Sequence, residues 1–108
     1  TMRIRKQHMD ERSDAYIMTP GGIGTLDEFF EMLTLKQLGV HKKPIAILNT
    51  MGFYDNLYEM LMRAAQGGFM KTDALRLFGM FGSPDAVLGY IENYVPSNEG
   101  CEDFKHIN

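Results

Sequence analysis

Along this chain the apolar positions fall into short runs divided by glycine, proline and polar turns. Residues 15–19 are mostly apolar without alternation, which predicts a strand covered on both faces of a parallel sheet. Residues 26–38 follow with Leu26, Phe29, Phe30, Leu33 and Leu38 on one broad helical face. Gly39 suits the C′ position that ends such a helix. Residues 44–48 read as a second strand and 49–52 as the turn at its end. Residues 53–66 carry Phe53, Leu57, Met60, Leu61 and Ala64 at helical spacing before Gly67 and Gly68 stop the run. Residues 75–79 read as a third strand. Ser83, Pro84 and Asp85 then mark a helix start, as N-cap, first position and first-turn acid, with Val87, Leu88, Ile91 and Tyr94 facing the core. Residues 2–12 are polar and basic and read as a helix end followed by a loop, with a polar tail over 96–108. Strand and helix alternating three times with short links predicts an α/β fold, a Rossmann-like parallel sheet with flanking helices.

The stretch from Pro20 to Glu28 carries the candidate chemistry. Gly21, Gly22 and Gly24 stand where the first strand ends and its helix begins. Glycine admits close approach of a ligand to the backbone. The first N–H groups of a helix lack internal partners and carry partial positive charge, so this junction is built to receive phosphate. Thr25-Leu26-Asp27-Glu28 also fits a capping box, with Thr25 and Glu28 exchanging hydrogen bonds and the glycines forming an ordinary tight turn. The pattern leaves both readings open. It is neither the dinucleotide fingerprint nor a P-loop, since no Gly-Lys-Ser/Thr follows. Asn49, Gly52 and Tyr54 fall at the carboxyl end of the second strand, on the side where open α/β sheets bind ligands.

Composition narrows the classes. A chain of 108 residues with 44% hydrophobic content is one globular domain at most. A net charge of −3 gives no basic footprint for nucleic acid. Cys101 is the only cysteine, which excludes an intrachain disulfide or a cysteine metal cluster and fits a reducing, cytoplasmic setting. His8, His41 and His106 share no ligand spacing, so no metal site is expected, and His41 reads as a surface-loop residue. No apolar run reaches the length of about 18 residues that a membrane span needs, and no signal peptide is visible.

Pro-Gly-Gly-Ile-Gly-Thr-Leu-Asp-Glu at 20–28 resembles the Pro-Gly-Gly-x-Gly-Thr-x-x-Glu signature of the LONELY GUY (LOG) family, the cytokinin riboside 5′-monophosphate phosphoribohydrolases often labelled lysine decarboxylases. Met2-Arg3-Ile4-Arg5-Lys6 resembles the family's Met-x-x-Arg-Lys motif at the expected distance upstream. Ser13-Asp14-Ala15, Gln37-Leu38-Gly39, Lys43-Pro44 and Gly52-Phe53-Tyr54 follow in order, so the resemblance covers about residues 1–95. It implies that these residues are the C-terminal part of a larger Rossmann-like domain, whose first half supplies earlier βα units and another glycine-rich turn. Thr1, which is not an initiator methionine, accords with that expectation.

The resemblance further implies hydrolysis of the N-glycosidic bond of a nucleoside 5′-monophosphate, an AMP-like substrate, to free base and ribose 5-phosphate. Arg5 and Glu28 would be catalytic. Lys6, Gly21, Gly22, Gly24 and Thr25 would bind substrate, with no cofactor. It points to a homodimer or to association with the missing N-terminal half. Two other classes stay open: a nucleotide carrier of the same fold without hydrolysis, and an inactive half-domain. A true lysine decarboxylase is disfavoured, because no lysine has a recognisable pyridoxal phosphate context.

Overall fold

The computed structural model describes residues 14–96. The chain runs β1 (Tyr16–Met18), α1 (Ile23–Gln37), β2 (Ile45–Leu48), a 3-10 turn (Thr50–Gly52), α2 (Asp55–Gln66), a second 3-10 turn (Thr72–Leu77), β3 (Gly79–Phe81) and α3 (Pro84–Glu92). The strands form one sheet in the order β1-β2-β3. Both pairings are parallel, with Tyr16 opposite Ile45, Ile47 opposite Met18 on one side and Met80 on the other, and Leu48 opposite Phe81. Parallel neighbours need a crossover, which α1 and α2 supply. All carboxyl ends therefore share one edge, where the loop after β1 and the turn after β2 meet. This is the α/β arrangement with flanking helices that the alternation predicts.

The core forms where α1 and the second 3-10 turn meet the sheet. Met18, Phe29, Ile45 and Ile47 are fully buried. Phe29 packs edge-on to Phe30 at 5.1 Å and to Phe78 at 5.5 Å between ring centroids. Burying a ring of this size contributes about 3 kcal/mol. Along α1 the buried positions are Phe29, Met32, Leu33 and Lys36, the spacing of one helical face. Gly39, at φ 79°, closes the helix: its N–H donates to Lys36 O at 3.0 Å, and Val40 N–H donates to Leu35 O at 2.9 Å.

Several elements differ from expectation. α1 begins at Ile23 rather than residue 26, with Gly22 as N-cap and no side chain capping it. Thr25 and Glu28 therefore do not form a capping box: Thr25 already lies in the first turn. The third strand is Gly79–Phe81, not residues 75–79. Ala74 and Leu77 are buried three residues apart, a 3-10 spacing rather than a strand's alternation. The glycine in β3 fits because a Cβ there would lie 2.7 Å from the Phe81 ring. In α3, Ser83 accepts from Ala86 N–H at 3.2 Å, the expected cap. Val87 is its buried residue, whereas Leu88 is exposed, as is Leu38 beyond the end of α1.

His41 is buried rather than on the surface. Its Nε2 lies 2.9 Å from Met32 O, and its Nδ1 accepts from Lys43 N–H at 3.1 Å. That pairing assigns the proton to Nε2 and gives the ring a bracing role beneath the α1–β2 link. Among the described residues no helix is long and apolar enough to cross a membrane.

Candidate active site

The site is built at the carboxyl edge of β1 and β2. β1 delivers Thr19 and Pro20 to the edge, and Gly21 and Gly22 turn the chain into α1. The first i→i−4 bond of the helix runs from Leu26 N–H to Gly22 O at 3.1 Å. The N–H groups of Ile23, Gly24 and Thr25 precede that bond, and no side chain caps them. Among the described residues, nothing beyond the adjoining backbone lies within 4 Å of where a Cβ on Gly22 or on Gly24 would stand. A helix start with positive partial charge is thus open at its two glycines, with the exposed Ile23 between them. Gly21 is glycine for an internal reason, since a Cβ there would collide with the Thr25 hydroxyl.

The first turn of α1 holds no acid. Asp27 and Glu28 come later, so neither carboxylate stands among the first free N–H groups. Glu28 lies five residues beyond Ile23, a rise of about 7 to 8 Å along the helix, and is exposed. The uncapped helix start and the Glu28 carboxylate are thus separate features of one edge.

The turn after β2 closes the other side. Asn49 is its hub: Oδ1 accepts from Tyr54 N–H at 2.6 Å and Nδ2 donates to Asp55 Oδ1 at 2.7 Å. Met51 takes a left-handed conformation, φ 53° and ψ 29°, and is fully exposed. Gly52 follows at φ 73°, and a Cβ there would press on the Asp55 carboxylate. The Tyr54 hydroxyl donates to Thr19 O at 2.7 Å, reaching across to the loop after β1. Burial raises the Tyr54 phenol above its ordinary range, and the nearby Gly21 backbone partly offsets this.

Of the sequence-derived candidates, Gly21, Gly22, Gly24, Thr25 and Glu28 occupy one loop and the opening turns of one helix. Arg5 and Lys6 lie outside the described residues. Asn49, Gly52 and Tyr54 reach the same edge, as strand order requires. Asp55 and the tie from Tyr54 to the loop were not foreseen; the Gly-Phe-Tyr-Asp run was their only signal. Among the described residues no three His, Cys, Asp or Glu side chains gather to hold a metal ion.

A three-stranded parallel sheet with flanking helices and a glycine-fed helix start at its carboxyl edge defines the class of Rossmann-like α/β domains. Within it, the chain belongs to the family described as "Possible lysine decarboxylase", which matches residues 1–91. It is 39% identical over 99 residues to cytokinin riboside 5'-monophosphate phosphoribohydrolase LOG2 of Arabidopsis thaliana, covering 92% of this chain and 46% of that protein. It is 39% identical over 98 residues to LOG1 of Arabidopsis thaliana, a protein of the same description, covering 91% and 46%. With the enzyme LOG of Oryza sativa subsp. japonica the identity is 41% over 98 residues, covering 91% and 40%. The chain spans about half the length of the curated relatives it matches. The family resemblance read from the sequence holds.

Proposed function

We propose that this chain is the phosphate-binding and catalytic part of a hydrolase that cleaves the N-glycosidic bond of nucleoside 5′-monophosphates, cytokinin ribotides among them. The observation that carries the reading is the uncapped start of α1, open among the described residues at Gly22 and Gly24, with Glu28 about one and a half turns from the helix start. The 5′-phosphate lies on the N–H groups of Ile23, Gly24 and Thr25 and on the Thr25 hydroxyl. The ribose then extends along the helix toward Glu28.

The bond from the anomeric carbon to the base nitrogen breaks with its electron pair leaving on the base, and the sugar develops oxocarbenium character. The Glu28 carboxylate stabilises that positive charge and takes a proton from the attacking water, whose oxygen bonds to the anomeric carbon. The departing base takes up one proton from solvent as Glu28 gives its own back, Arg5 positions the nucleotide or assists that departure, and Lys6 contributes to substrate binding. The products are free base and ribose 5-phosphate, and no cofactor takes part.

The same reading includes a homodimer or an N-terminal half that completes the sheet. Its support is that β1 has β2 as its one neighbour among the described residues, and Ile17 on that edge strand is exposed. A cytoplasmic location accords with a single cysteine.

The test is base release from AMP and from adenosine by the full-length protein. Adenosine lacks only the phosphate. Release from AMP should exceed release from adenosine by a hundredfold or more in kcat/KM, about 3 kcal/mol of transition-state binding drawn from the loop. Equal rates on the two substrates would remove the phosphate site from the mechanism.

A further inference from the structure

We infer that Tyr54 is the positioning residue of the glycine loop, its hydroxyl holding the start of α1 in the geometry that presents N–H groups to a substrate phosphate. This rests on the reading of that loop as the phosphate site.

Tyr54 belongs to another element, as N-cap of α2, and is 3% exposed. Its hydroxyl donates to Thr19 O at 2.7 Å, and the Gly21 backbone faces the same oxygen closely enough to offset part of the effect of burial on the phenol. Those two peptide groups flank Pro20, which has no N–H of its own. One oxygen thus binds the entry of the turn and stands against its exit, immediately before the Gly22 N-cap. The glycines confer freedom, which the ligand would otherwise have to restrict on binding. A side chain that fixes the loop in advance lowers that cost.

The anchor is itself held firmly. The Tyr54 ring meets Phe53 at right angles, 4.8 Å between centroids. Its N–H is taken by Asn49 Oδ1, while Asn49 N–H donates to Phe81 O at 2.7 Å. The hydroxyl is therefore referenced to the β2–β3 edge of the sheet. A phenol titrates well above neutral pH and burial raises this one further, so it remains a donor to Thr19.

A purely structural Tyr54 makes a different prediction from a positioning one. Tyr54→Phe keeps the ring and removes one oxygen. In the full-length protein three readouts separate the two roles: affinity for inorganic phosphate, KM against kcat for AMP, and hydrogen exchange at the Gly21 amide. We expect phosphate affinity to fall about tenfold, the scale of a lost buried hydrogen bond. KM for AMP should rise by a similar factor with kcat changed less, and Gly21 exchange should quicken.

Tyr58→Phe, one turn along α2 where the ring packs against Phe78 at 6.4 Å, is the control and should leave all three unchanged. A lowered melting temperature with unchanged phosphate affinity and unchanged Gly21 exchange would overturn the inference, as would a wild type that binds no phosphate. A wild type that binds phosphate but releases no base from AMP would sink the hydrolase reading alone. Phosphate affinity and Gly21 exchange would then still decide the role of Tyr54.

Discussion

Lys36 offers a prediction that can be worked through from the fold. It occupies a core position of α1, 5% exposed, at the end of the sheet opposite the candidate site. Its Nζ donates to Leu77 O at 2.8 Å and to the Tyr94 hydroxyl at 2.7 Å, and lies 4.6 Å from the Tyr94 ring centroid. These partners are neutral, so burial dominates and lowers the amine from 10.5 to about 8.

Below pH 8 both the folded and unfolded states carry the ammonium, and folding bears the full cost of burying it. Between pH 8 and 10.5 the folded amine sheds its proton while the unfolded one keeps it, so stability rises with pH across that window. The gap corresponds to about 3 kcal/mol at most, and to about 2 kcal/mol once residual solvent screening is allowed for. Above pH 10 the sign reverses. Burial, and then the charge of Tyr94, push Tyr90 up to about 12, and burial raises Tyr54 and Tyr94 as well. Unfolded tyrosines ionise first, so stability is lost as pH rises through 10 to 12.

Urea midpoints at pH 7, 9, 10 and 11 should therefore pass through a maximum near pH 10. Lys36→Met should abolish the rise from 8 to 10 and retain the fall beyond it. An equal rise in Lys36→Met would show that the slope comes from another group. A flat wild-type profile would show that the Lys36 amine is not held down by burial.

Three further expectations concern the loop, the turn and the basic segment. Gly22→Val should leave the melting temperature within a few degrees, because among the described residues nothing beyond the adjoining backbone stands within 4 Å of the new Cβ, yet weaken binding of inorganic phosphate at least tenfold by occupying its approach. Isothermal titration of both proteins checks this. Met51→Gly should stabilise the fold by about 0.5 kcal/mol in denaturant titration, relieving a left-handed residue at φ 53° against the greater unfolded-state freedom of glycine. Arg5→Lys should cost most of the base-release activity of the full-length protein while Arg3→Lys is mild, since lysine cannot reproduce a bidentate contact; equal losses would return Arg5 to a solvated charge.

What was legible in the sequence follows from periodicity. Unalternated apolar runs at 15–19 and 44–48 announced two strands buried in a parallel sheet. The glycine stops and the Ser83-Pro84 start marked helix ends to within a few residues. The glycine loop stood out because three glycines gather at one strand–helix junction, although the pattern alone left a ligand site and an ordinary tight turn both open. What was hidden depends on partners distant in the chain. Nothing in the sequence marked Lys36 as buried, because its partners Leu77 and Tyr94 lie 41 and 58 residues away. His41 reads as a loop residue until Met32 O is seen beside it. The tie from Tyr54 to Thr19 spans 35 residues and is set by strand order. The third strand was misplaced because Leu75 and Leu77 supply apolar character from a 3-10 turn, while the true strand opens on glycine.

Glu28 is where the account is most exposed to test. Glu28→Gln keeps the size of the side chain, and since no side chain caps α1 it removes no capping bond. Base release from AMP by the full-length protein is the measurement, with AMP affinity and a thermal melt run alongside and Glu31→Gln as the neighbouring control. A catalytic Glu28 predicts an unchanged melt, retained AMP binding and a fall in turnover of about a hundredfold or more for Glu28→Gln, the scale of a positioned acid–base group. Glu31→Gln should do much less. Adenine released by Glu28→Gln at the wild-type rate would contradict the hydrolase mechanism and leave a nucleotide-binding protein of the same fold.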